Sequence, residues 1–180
     1  ENHPRSLGVT GARGGTTLSN RVLSEADAIF YVGCSTDSAG TDSWSLPPLD
    51  TKARVIHLDI SEADVGNVYL TEVILIGDAK ATLLVMIQSS KLMKKQYVDH
   101  PRIKALVKDF EEYQDYISEQ SNSVETPIHP LRFIKELSTT LPKEYAMVLD
   151  VGTPGIYTST YLKAKQAGRY FAYNYAMGSL

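Results

Sequence analysis

The sequence predicts an α/β protein, with a parallel sheet in its first half and a second α/β unit opening after residue 126. Three observations carry this. "AIFYVG" (28–33), "ARVIHLDI" (53–60) and "VILIG" (73–77) are short apolar runs rich in strand formers, as expected of strands covered on both faces. These runs are read as strands interleaved with helices, which calls for right-handed crossovers. The alternation then restarts with "HPLRFIKELSTTLP" (129–142) and "YAMVLDVG" (145–152).

In chain order, "SLGVTG" (6–11) is expected to be a short strand, followed by a glycine-rich bend, "GARGG" (11–15). "TTLSNRVLSEADA" (16–28) sets Leu18, Val22 and Leu23 on one side of a helix. A polar loop with two prolines, residues 34–50, separates the first two strands. After the third strand, "DAKATLLVMIQSS" (78–90) reads as a helix with Asp78 as its N-cap. Residues 91–126 are charged and read as a linker with a docking helix, Ile103, Leu106, Val107, Phe110, Tyr113 and Ile117 falling at helical intervals. In the second unit Leu131, Ile134, Leu137 and Leu141 share a helix face, and "TPGIYTSTYLKAKQ" (153–166) is a further helix. "RYFAY" (169–173) is then a strand leading into a Gly-Ser turn. Two strands and two helices cannot cover their own faces, so the second unit is expected to be incomplete.

Bulk properties narrow the function classes. The 180 residues are 43% hydrophobic and 22% charged, the balance of a soluble globular protein. A formal charge of −3 provides no field to attract nucleic acid or an anionic membrane, so neither is expected as a partner. The single cysteine, Cys34, excludes an internal disulfide and fits a reducing compartment. The opening "ENHPRSLG" lacks the basic and apolar regions of a signal peptide, and "ATLLVMI" (81–87) is too short to span a bilayer. A cytoplasmic location is expected.

The candidate chemistry lies at strand ends. In "LDVGTPG" (149–155), Gly152 follows a strand, Thr153 is placed to cap a helix and Pro154 fits the first helical position. Such a start leaves backbone N–H groups and the positive end of the helix dipole at the carboxyl edge of a sheet, where phosphates bind. The plainer alternative is that Thr153 only caps a helix. "TGARGGTT" (10–17) places glycines and Arg13 before a helix but lacks the G-x-G-x-x-G spacing, so a plain turn is favoured over a nucleotide-phosphate cradle. Asp59 ends its strand where ribose-binding carboxylates sit in dinucleotide folds, or it caps the loop "SEADVG". His3, His57, His100 and His129 have no metal-ligand spacing, and no metal ligand is assigned in this chain. Cys34 has no evident base and reads as a small buried thiol. No catalytic residue is assigned.

Two blocks taken together are more specific. "HPRSLGVTGARGG", "SEADAIFYVGCSTD", "ARVIHLDISEADVG" and "VILIGDAKATL", in this order, resemble the Rossmann-like middle domain of thiamine-diphosphate enzymes of the acetolactate synthase and 2-oxo acid decarboxylase superfamily. Residues 128–180 resemble the start of the cofactor-diphosphate domain of the same enzymes. The resemblance implies a middle domain over residues 1–90, a linker over 91–126 and a truncated diphosphate domain over 127–180. On that pattern the "MGSL" turn would lead into segments carrying the Mg2+ ligands, and a further domain would carry the glutamate that activates the cofactor.

The resemblance further implies that Gly152 and Thr153 contact the thiamine diphosphate, that the Gly178 carbonyl receives its aminopyrimidine, and that Leu180 props it into a bent shape. Thr10 to Gly14 (including Gly11, Ala12 and Arg13), Gly33, Asp59 and Asp78 match positions that line FAD in acetolactate synthases. Ser35 stands in place of an arginine there and Arg13 in place of a histidine, so no flavin is expected to co-purify. The implied parent enzyme decarboxylates a 2-oxo acid with thiamine diphosphate and Mg2+, works as a homodimer or tetramer, and is inactive as this chain alone. Alternatives of other classes are a stand-alone nucleotide-binding module and a subunit-packing module without catalysis.

Overall fold

The computed structural model describes residues 3, 5–93, 101–150, 152–166 and 170–172. Gly178 and Leu180 lie outside the described residues. The chain divides into two compact units, one of Thr10–Arg13 and Asn20–Ile103, the other of Glu1–Val9, Gly14–Ser19 and Lys104–Leu180.

The first unit holds β1 (Ala28–Val32), β2 (Arg54–Asp59) and β3 (Thr71–Ile76) in one parallel sheet, order β1-β2-β3. Val32 pairs with Leu58 and Asp59 with Ile76, so the three strands end nearly level. This is an α/β, Rossmann-like parallel sheet, but the expected helices between its strands are absent: loops over 33–53 and 60–70 join β1 to β2 and β2 to β3, and helices flank the sheet only before β1 and after β3. The core lies on β2, the strand with a neighbour on each side: Val55, His57 and Leu58 are at most 2% exposed. Helix α1 (Thr17–Ser24) precedes the sheet and α2 (Ala79–Leu92) follows it.

Burial departs from expectation at β3 and α2. Val73, Ile74 and Ile76 are exposed, and α2 has no buried residue, with Leu84, Val85 and Ile87 all outward. β3 is one of the two edge strands, with β1 at the other side. An apolar run reports what a strand is suited to pack against, not whether the cover is present. Residues 6–11 form no strand.

The second unit contains α4 (Pro130–Thr140), β4 (Met147–Leu149), α5 (Thr153–Tyr161) and β5 (Tyr170–Ala172), with β4 and β5 parallel. The long helix α3 (Pro101–Ser121) lies almost wholly in this unit and places the anticipated apolar face at helical spacing. Helix α4 starts at His129, whose Nδ1 accepts the Leu131 N–H at 3.3 Å, with Pro130 at the first helical position. Leu131 and Ile134 face inward as the helical period requires, and Leu162 is also buried. Helix α5 stops at Tyr161, short of the residue 166 expected, because Leu162 turns extended (φ −86°, ψ 109°) and is itself buried. β4 was expected to be buried, yet Val148 is 46% exposed.

Candidate functional site

In the first unit the carboxyl ends of the three strands gather several residues singled out from sequence. Gly33 ends β1 with φ 59°, donates its N–H to the Leu58 carbonyl at 2.9 Å, and has open space where a Cβ would stand. Asp59 ends β2, and its Oδ1 accepts the Ser61 N–H at 3.0 Å, which is the loop-capping role. Asp78 follows β3 as the N-cap of α2, Oδ1 accepting the Ala81 N–H at 2.8 Å. Both carboxylates therefore serve the local backbone.

The glycine bend reaches the same edge by way of the loop after β1. Gly11 has φ 93°, and a Cβ there would stand 2.4 Å from the Gly40 carbonyl oxygen, so only glycine allows the two backbones to approach. Asn20 secures the bend by accepting the Gly11 N–H at 3.0 Å. Ala12 is exposed and Arg13 half-buried. The β1–β2 loop is itself tightly wound. Asp42, Ser43 and Trp44 have φ of 48°, 56° and 61°, three left-handed L-residues in succession. Hydrogen bonds from Ser43 N to the Ser38 carbonyl and from Leu46 N to the Thr41 carbonyl hold this turn, and Trp44 Nε1 donates to the Thr36 carbonyl at 3.2 Å.

Sequence reasoning missed a buried polar cluster beneath this edge. Tyr31 stacks on Tyr69 at 5.8 Å and tilts against His57 at 5.6 Å. His57 Nε2 donates to the Cys34 carbonyl at 2.9 Å while Nδ1 accepts the Gly66 N–H, a pattern that selects the Nε2–H tautomer. Tyr69 donates its hydroxyl to the Pro47 carbonyl at 2.9 Å. Burial pushes the Tyr69 and Tyr31 phenols up, Tyr31 strongly, and the Tyr31 hydroxyl has no hydrogen-bond partner among the described residues. The signal was available: His57 and Tyr31 interrupt otherwise apolar strand runs. Cys34 is half-buried with a free thiol, not fully buried.

In the second unit the start of α5 differs from expectation by one residue. The N-cap is Gly152, at φ 130° and ψ −178°, and no side chain makes a cap hydrogen bond. Thr153 is the first helical residue and Pro154 the second, so the Thr153 hydroxyl is not the cap. Gly152, Thr153 and Pro154 are exposed, and Gly155 is half-buried with its N–H on the Gly152 carbonyl at 3.0 Å. Asp150, just beyond β4, is exposed too. Among the described residues 152–154 lie open, and the donors left there are the Gly152 and Thr153 N–H groups at the positive end of the helix, since Pro154 has none and those of Gly155 and Ile156 go to the Gly152 carbonyl. Among the described residues no group of three or more His, Cys, Asp or Glu is arranged to hold a metal ion. No described helix is long and apolar enough to cross a membrane.

A model of the thiamine pyrophosphate enzyme central domain matches residues 1–86. The chain is 28% identical over 189 residues to a probable acetolactate synthase large subunit of Methanococcus aeolicus, covering 100% of this chain and 31% of the relative. Its counterpart in Methanocaldococcus jannaschii is 25% identical over 187 residues, 96% of this chain and 29% of the relative. An acetolactate synthase of Arthrospira platensis is 39% identical over 92 residues, 49% of this chain and 15% of that protein. The chain thus spans about a third or less of the curated relatives it matches. Residues 1–86 are thus similar to the thiamine pyrophosphate enzyme central domain, and the chain along its length is similar to acetolactate synthase large subunits.

Proposed function

We propose that the chain supplies the central domain and the diphosphate-contacting edge of a thiamine-diphosphate-dependent enzyme that acts on a 2-oxo acid, in the manner of acetolactate synthase. One observation carries this: the start of α5 is exposed and has no side-chain cap, at the position the resemblance gives to the cofactor diphosphate. Residues 1–90 would be the central domain, 91–126 the connection and 127–180 the start of the diphosphate domain. Thiamine diphosphate, with Mg2+, supplies the electron sink for decarboxylation. Gly152 and Thr153 would orient its diphosphate through backbone N–H groups, and the helix dipole favours the charge. Gly178 and Leu180 would complete the thiamine side. No residue of this chain is assigned a proton transfer, so the 180 residues alone should release no CO2 from pyruvate.

In the central domain, Gly11, Ala12, Arg13, Gly33, Asp59 and Asp78 would line the edge that the resemblance gives to flavin in acetolactate synthases. Asp59 and Asp78 are occupied with local backbone donors, and Ser35 brings no charge to a diphosphate. We infer that flavin is not retained here. The whole enzyme would be a cytoplasmic homo-oligomer.

Titration of the labelled chain with inorganic pyrophosphate, followed by amide NMR, tests the reading. Shifts should concentrate at Gly152 and Thr153, whose N–H groups are not used within the helix, while the amides at the start of α2 stay put. Absence of shifts at α5 up to about 10 mM, or equal shifts at α2, would sink the assignment.

A further inference from the structure

We propose that a cavity of about 250 Å3 between α3, the chain following α5 and residues 6–9 binds a small carboxylate with an apolar body. All of its walls belong to the second unit. It does not touch the start of α5, so it is separate from the cofactor edge proposed above.

The walls are laid down by helical spacing. Phe110, Tyr113 and Ile117 fall on one face of α3, and Leu7 and Val9 meet them from the amino-terminal segment. Across from these, the chain leaves α5 at Tyr161 and turns extended, with Leu162 buried and Lys163 exposed. A water occupies about 30 Å3 in the liquid, so the space suits a ligand of roughly ten heavy atoms. That is near the lower size limit of small-molecule sites.

Polar groups on the wall divide into spent and unspent. Ser159 Oγ donates to the Gly155 carbonyl at 2.6 Å and Thr160 Oγ1 to the Gly14 carbonyl at 2.9 Å, both within the protein. Tyr113 donates to the Tyr161 hydroxyl at a long 3.4 Å, which leaves the Tyr161 O–H free for another acceptor. Burial, together with this contact, pushes the Tyr113 phenol up, so it stays protonated at neutral pH. Lys163 makes no hydrogen bond or ion pair among the described residues. One ammonium and one phenol O–H beside apolar walls match the two oxygens and single charge of a carboxylate. Ser6, Thr16 and Gln114 add neutral polar groups to the wall, and Lys163 is its single cation.

The full 180-residue chain should be titrated with 3-phenylpropionate and separately with its carboxamide, following amide NMR shifts. Saturable shifts at Tyr113, Ile117 and Leu162 are expected, with the carboxamide binding about fivefold to tenfold more weakly. Lys163→Gln, at an exposed site, should erase that preference while circular dichroism stays unchanged. Ile117→Trp, which fills the space, should abolish binding; if that variant fails to fold, Lys163→Gln alone decides. The proposal is overturned by no saturable shift at these amides up to about 10 mM, by equal binding of acid and carboxamide, or by an unchanged preference in Lys163→Gln.

Discussion

Two parallel sheets in this chain each deliver the backbone to a helix at their carboxyl edge, and the two deliveries end differently. β3 leads into α2, where the Asp78 carboxylate accepts one first-turn amide, that of Ala81, at 2.8 Å. β4 leads to α5, whose cap is a glycine with no side chain to close anything. The same topology therefore produces one helix start capped by a side chain and one capped by backbone, where the Gly152 carbonyl takes the Gly155 and Ile156 N–H groups, Pro154 has none, and Gly152 and Thr153 are left to meet an anion. A strand–turn–helix motif signals a phosphate site only when the cap position leaves the amides unclaimed.

The sheets differ in depth as well, and that contrast carries the largest expected effect. Leu58, fully buried on the central strand, should cost about 2–5 kcal/mol as Leu58→Ala in denaturant unfolding. Val148→Ala on β4, at a side chain 46% exposed, should cost less than about 1 kcal/mol. Comparable losses at the two positions would erase the distinction. The helix starts come next. Asp78→Ala should destabilise by about 1 kcal/mol through loss of the cap, whereas Thr153→Ala, whose hydroxyl caps nothing, should stay within about 0.5 kcal/mol of the parent.

A pH series sharpens the picture of the first unit. The folded Tyr31 phenol titrates above its unfolded value, chiefly through burial, so its contribution is fully present below about pH 10 and is lost as pH rises beyond that. Tyr31→Phe should leave stability at pH 7 unchanged or slightly raised, because the hydroxyl has no partner to lose, and should flatten the alkaline limb. A marked loss at pH 7 would show that the hydroxyl is bonded after all. The smallest effect is expected at the pair that bridges β2 and β3. Arg54 Nε donates to Glu72 at 2.8 Å and holds the Glu72 carboxyl below its usual range, a contribution present at neutral pH and lost as pH falls through the folded value. Both side chains are well exposed, so Glu72→Gln should leave the unfolding midpoint unchanged at physiological salt.

Much of this was legible in the residues because it is local. Apolar runs located all three strands of the first sheet, Asp78 announced the cap of α2, and the period of α3 gave its inner face. What escaped was non-local. Nothing in "VILIG" says that β3 is an edge strand with exposed side chains, since composition records suitability for burial and not the presence of a neighbour. Thr153 misled by propensity: threonine caps helices well, but Gly152 takes that place, at a φ of 130° that glycine tolerates and threonine does not. The Tyr31–His57–Tyr69 cluster is assembled from three separate segments, so only the fold could bring it together. The same holds for the cavity, whose walls come from segments more than 90 residues apart in sequence, Leu7 and Phe110 among them.

The wound loop between β1 and β2 has a consequence in terms of chirality. Asp42, Ser43 and Trp44 occupy a conformation natural to D-amino acids, and each L-residue there costs about 1–2 kcal/mol. The loop therefore holds a mirror-image turn in place by its surrounding hydrogen bonds and by the buried Thr36, Thr41, Leu46 and Pro47. It behaves as a wound spring, and hydrogen exchange should find the amides of residues 43–46 opening ahead of the strands on either side. A semisynthetic chain with D-serine at position 43 would relax the turn that every ribosomally made copy must hold under tension.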